Sequence, residues 1–84
     1  MNIESIMHGT REAIAEIKKL NVDEVQLLPE EDFVTKYNVD SLDAVQLTMI
    51  LAEKFDFNFG ESVDDIDSLE SFGSLTKLIE KRIS

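Results

Sequence analysis

The chain has no cysteine, a single histidine, a single proline and few cations. Without cysteine there can be no disulfide, no thiolate metal site and no thiol of the protein's own. No apolar run approaches the ~18 residues of a membrane span, so no transmembrane helix is expected. The first residues lack the layout of a signal peptide, and Glu4, Glu12 and Glu16 argue against a transit peptide. A cytoplasmic location is the resulting expectation. Eight lysines and arginines face 18 acids, for a net charge of −10. Such a surface repels phosphate backbones and anionic lipid, which argues against nucleic acid and membranes as partners. It suits proteins that present basic patches, and it would equally serve to keep the chain in solution.

What is present suffices for a core. Apolar residues make up 43% of the 84 residues, and a chain of this length is one domain, 1–84, close to the lower limit of what folds alone. Residues 2–19 read as a helix, with Ile3, Ile6, Met7, Thr10, Ile14 and Ile17 at three- and four-residue spacing. Lys18 and Lys19 suit its C-terminal dipole. Residues 20–39 hold Asn21, Pro29 and Asn38 but also too many apolar side chains, Val22, Val25, Leu27, Leu28, Phe33, Val34, Tyr37 and Val39 among them, for a free linker. This stretch is expected to be ordered, pinned by Phe33, with a helical turn near Val22–Val25. A short helix is expected at 61–66. A last helix is expected from a capping-box-like Asp67/Glu70 pair to about Ile83, with Phe72, Leu75, Ile79 and Ile83 on one face. Gly73 inside that helix implies close packing against a neighbour. The expected fold is therefore all-α. It is a small bundle of three main helices plus one short helix, with a long ordered loop between helices 1 and 2.

The organising stretch is 37–55. Asp40 can cap a helix there, Asp43 suits its positive end, and Ser41 falls at the first helical position with its hydroxyl toward water. A helix start also tolerates a phosphate group. On the helical wheel Ala44, Leu47, Leu51 and Phe55 fall on one side, and Leu42, Val45, Met49 and Ala52 roughly opposite. One apolar stripe joins a core. The second must meet either another helix or a visiting partner.

Enzymatic readings of these residues fail. Ser41 has no G-x-S-x-G context, and the only imidazole, His8, reads as a residue of another surface. Asp40 and Asp43 lack a visible apolar pocket that would split their pKa values. The run Asp56-x-Asn58-x-Gly60 resembles the opening of a calcium loop, but its glycine is one position early and position 12 is Asp67, not glutamate. No metal site is expected. Asp-Ser-Leu occurs again at 67–69, where Glu70, Phe72 and Gly73 follow it and make it read as a plain helix cap.

Asp40-Ser41-Leu42-Asp43, with Val45-x-Leu47-x-Met49 and Glu53-x-Phe55-Asp56, resembles the acyl carrier protein family. The resemblance is specific over 33–56 and weaker over the rest. It implies 4'-phosphopantetheine, taken from coenzyme A, on Ser41, its thiol carrying acyl groups as thioesters. It implies a carrier acted on by enzymes, not a catalyst. It further implies that Asp40 and Leu42 help a phosphopantetheinyl transferase dock. Asp43, Val45, Met49 and Glu53 would be read by later enzymes with basic docking patches, the carrier being a monomer. Leu47, Leu51 and Phe55 would face the core and border any acyl cavity.

The chain departs from the family pattern at several points. Tyr37 and Asn38 replace the usual Leu-Gly, Asn38 being the residue type that best replaces glycine at positive φ. Gln46 stands where an acid is usual and Gly60 where proline is common, while Phe57 and Phe59 add aromatic bulk near the expected acyl pocket. These departures suggest a specialised or accessory carrier in fatty acid, polyketide or related biosynthesis. An aminoacyl or peptidyl carrier and an unmodified acidic adaptor are the alternatives.

Overall fold

In a computed structural model, residues 2–59, 69 and 71–83 are described. Helix α1 (Ile3–Lys18) starts where the Asn2 side chain accepts the Ser5 amide hydrogen. It ends where Lys19 turns left-handed, φ 56°, and donates to the Ala15 and Glu16 carbonyls. Such a turn satisfies carbonyls that the helix end leaves without partners.

The connection that follows is ordered, as its apolar content implied. It holds a 3₁₀ turn (Val22–Glu24) and a four-residue helix, α2 (Phe33–Lys36). Phe33 is fully buried, and Val25, Leu27 and Val39 join the same core. The Tyr37 hydroxyl accepts the Gln26 amide hydrogen at 3.0 Å, and Lys36 donates to the Gln26 carbonyl at 2.7 Å. Two side chains from the end of the loop thus tie down its middle, so a segment with little helix of its own stays in one path.

Helix α3 (Ser41–Phe55) ends at Asp56, again left-handed at φ 53°. Helix α4 (Phe72–Ile83) starts four residues later than the Asp67/Glu70 pattern implied. Its first turn is closed by Ser71, whose hydroxyl oxygen accepts the Ser74 amide hydrogen at 3.1 Å. Apart from Leu69, the residues of that pattern lie outside the described ones, and so does the short helix expected at 61–66. The short helix α2 lies within the long loop. Among the described residues every regular element is a helix, so the all-α bundle stands.

Helix α1 packs against both α3 and α4. Ile6, Ala13 and Ile14 from α1 meet Leu47, Leu51 and Phe55 from α3 and Phe72, Leu75 and Ile79 from α4 in one core. Two glycines make the approach possible. A Cβ at Gly9 would stand 2.6 Å from Phe55 Cζ, and one at Gly73 would stand 2.8 Å from the Pro29 carbonyl oxygen. Gly73 also donates its amide hydrogen to that oxygen at 2.7 Å. Thr10, counted in the apolar stripe of α1, is fully buried with its hydroxyl donated to the Ile6 carbonyl at 2.7 Å. A buried hydroxyl so paired carries little penalty.

Candidate functional site

The site is built by the turn entering α3. Asn38 adopts φ 52°, the left-handed conformation its side chain tolerates. Val39 then buries itself, and the chain leaves the core at Asp40. The Asp40 carboxylate accepts the Asp43 amide hydrogen at 2.8 Å, while Asp43 Oδ2 accepts the Asp40 amide hydrogen at 3.4 Å. This reciprocal box satisfies amide groups that a helix start otherwise leaves open. Ser41 stands between the two acids as the first residue of α3, and it is exposed.

The two stripes of α3 separate cleanly. Leu47 and Leu51 are fully buried and Phe55 nearly so, whereas Leu42 and Met49 are each 66% exposed and Val45 is 55% exposed. Asp40, Gln46 and Glu53 are exposed along the outer side. The outer face is thus apolar side chains interrupted by acids. Among the described residues nothing covers Leu42, Val45 or Met49. Two open clefts border this face. One, of about 300 Å³, lies between α1 and α3 and is lined by Glu16, Ile17, Gln46, Met49, Ile50 and Glu53. The other, of about 560 Å³, lies at the end of α3 beside Met49, Ala52, Glu53 and Phe57. Phe57 there meets Phe59 edge to face, ring centroids 5.6 Å apart.

Asp43 is held differently from Asp40 and Glu53. Lys18, at the end of α1, reaches its carboxylate at 2.9 Å and donates to the Asn38 carbonyl at 3.1 Å. The Lys18 ammonium, and then the Asp40 amide, keep the Asp43 carboxyl below the usual carboxylate range. Sequence reading placed Asp43 on the outer surface and gave Lys18 only a role at the C-terminal dipole of α1. The two lie 25 residues apart, and no local pattern pairs them. His8 sits away from this turn on α1, exposed and 3.7 Å from Glu12, as a surface residue would. Among the described residues no cluster of histidine and acid could hold a metal ion, and no helix is long and apolar enough to cross a membrane.

An exposed hydroxyl on the first residue of a capped helix fits a phosphodiester. The helix dipole favours the added anion. Of the two flanking acids, Asp43 already has Lys18 as counter-ion.

A family model for the phosphopantetheine attachment site matches residues 10–79. The acyl carrier protein of Chlamydia trachomatis is 36% identical over 72 residues, 80% of this chain and 91% of that one. Acyl carrier proteins from two strains of Helicobacter pylori are 40% and 38% identical over 63 residues, 75% of this chain and 78% of theirs. The chain is therefore a carrier bearing covalent 4'-phosphopantetheine, acted on by a phosphopantetheinyl transferase and by biosynthetic enzymes, and not itself an enzyme. Matched over most of its length by that model and by these relatives, it belongs to the acyl carrier protein family.

Proposed function

We propose that Ser41 is the attachment point and that the outer face of α3 is the surface enzymes read. The observation that carries this is the exposure of Ser41 on the same helix end as an uncovered apolar and acidic face. In the modifying reaction the Ser41 oxygen forms a bond to the phosphorus of the pantetheine phosphate. The bond from that phosphorus to the adenosine nucleotide of coenzyme A breaks, and the serine proton is released. The bound group supplies a thiol, which this chain has nowhere of its own, and on which acyl groups are held as thioesters. The protein's own contribution is presentation. Asp40 fixes the helix start, Leu42 offers an exposed apolar contact to the transferase, and Val45, Met49 and Glu53 continue that surface down the helix. Acids facing basic patches speed encounter and keep docking sensitive to salt.

The cargo belongs to a specialised or accessory route of fatty acid, polyketide or related biosynthesis, and the protein works as a cytoplasmic monomer. Three features support the specialised reading: Tyr37 anchoring the loop, the uncharged Gln46 on the outer face, and the aromatic pair beside the cleft at the end of α3. Two measurements test the proposal. Incubating the apo protein with coenzyme A and a broad-specificity transferase adds the phosphopantetheine mass to the wild type and to Ser68→Ala, and adds nothing to Ser41→Ala. The holo protein is then offered to general fatty-acid synthase enzymes, where slow turnover is expected. Full activity there would remove the specialised reading while leaving Ser41 in place.

A further inference from the structure

Lys18 reaches from the end of α1 into the turn around Ser41. It makes two contacts there, one to each side of the serine. The Asn38 carbonyl precedes Ser41 by three residues, and the Asp43 carboxylate follows it by two. Its stem is largely covered, with 25% of the side chain exposed against 17% for Asp43. An ammonium in that position closes the turn onto the end of α1. It also gives Asp43 an internal counter-ion, so an approaching enzyme meets Asp40 and Glu53 as open charges but Asp43 as a neutralised pair.

From this geometry we infer that Lys18 is a positioning residue for the modification of Ser41: it clamps the Asn38–Asp43 turn to α1 and withdraws the Asp43 charge from the docking surface. The inference rests on Ser41 being the attachment point. It has two consequences with opposite signs. Releasing the clamp lets the hydroxyl wander from the geometry the transferase needs, which lowers turnover. Releasing Asp43 adds an open negative charge to the face, which strengthens encounter with a basic partner.

The test is steady-state kinetics of phosphopantetheine transfer from coenzyme A to the full-length apo protein, at low and at physiological salt. Lys18→Met keeps the apolar stem and removes the ammonium. It is expected to lower kcat about fivefold, from the loss of alignment. It is also expected to lower KM for the carrier about two- to threefold at low salt, an advantage that shrinks as salt is raised. Asp43→Asn breaks the clamp from the other end. The same fall in kcat is expected there, but with KM raised rather than lowered at low salt, because the Lys18 ammonium is left as an open positive charge facing a basic partner. Lys18→Arg restores most of the turnover. A lysine that only stabilises the fold would lower the melting temperature of both variants and leave both constants within twofold of wild type, and that result overturns the inference. So does a KM that rises in Lys18→Met. Persistent labelling of Ser41→Ala would instead strike at the attachment point itself, so the two failures can be told apart.

Discussion

The two faces of α3 are built from nearly the same residue types and do opposite things. Leu47, Leu51 and Phe55 are sealed in the core, while Leu42, Val45 and Met49 stand in water a half-turn away. Hydrophobicity alone does not separate them. What separates them is the turn before the helix. Asn38 in its left-handed conformation, Val39 buried behind it, and the Asp40–Asp43 box together set the rotation at which α3 enters the bundle. One face then stabilises the fold, and the other is left for partners to cover.

The inner face should dominate stability. Leu51→Ala removes a fully buried side chain and is expected to cost about 2–5 kcal/mol, a large part of the margin of a domain this small. Urea unfolding measures it, and a loss no greater than that of an outer-face variant would erase the distinction between the faces. Gly9→Ala attacks the same packing from α1. Its Cβ would meet Phe55 Cζ at 2.6 Å, and a shift of that ring should cost about 1–3 kcal/mol, again read by urea.

The turn that chooses between the faces is the next point to break. Asn38→Ala keeps a Cβ in the left-handed region but loses the short polar side chain that eases it and should cost about 1 kcal/mol, whereas Asn38→Gly should retain wild-type stability or slightly exceed it. Equal losses from the two would mean that the backbone conformation at this position is not what matters.

How far the sequence allowed this to be read can be argued from the same residues. Periodicity showed two stripes on α3 because a wheel needs only spacing. It left open which stripe faced inward, because Leu47 and Leu51 look no more buried in a sequence than Leu42 and Met49; the resemblance to a carrier family was what pointed Leu47, Leu51 and Phe55 inward, where they lie. Asn38 was legible, since few residue types accept its backbone angles. Phe33 was legible as an anchor, being a large apolar side chain in a polar stretch. The start of α4 was not, because Asp67/Glu70 and Ser71/Ser74 both offer capping side chains and a sequence does not rank the Ser71 cap, which closes the first turn of α4, above the other. The Lys18–Asp43 clamp and the hold of Tyr37 on Gln26 join residues distant in sequence, and no local pattern announces such pairs.

Outer-face substitutions sharpen the contrast from the other side. Met49→Ala and Val45→Ala should leave stability within about 0.5 kcal/mol of wild type, yet slow transfer by partner enzymes. Unfolding and transfer measured on the same samples decide this, and a matching loss of stability would return these residues to the core.

The smallest expected effect lies on neither face. The Asp32 carboxylate bonds the Thr35 hydroxyl and the Thr35 and Val34 amides, which hold its pKa below the ordinary 3.8. A carboxylate whose pKa is lower folded than unfolded adds stability above the unfolded value. That stability fades as pH falls through the folded one. Asp32→Asn should therefore be less stable than wild type at neutral pH. The gap should narrow as the pH drops below the ordinary value of 3.8, as thermal melts across that range would show. A gap that stayed constant would mean that the charge of Asp32 contributes nothing.

The most direct measurement is peptide mapping by tandem mass spectrometry of the protein purified from its own cell. The account predicts a phosphopantetheine mass on the peptide containing Ser41, released on fragmentation, and an unmodified Ser68. The same mass found on Ser68, with Ser41 bare, would contradict it.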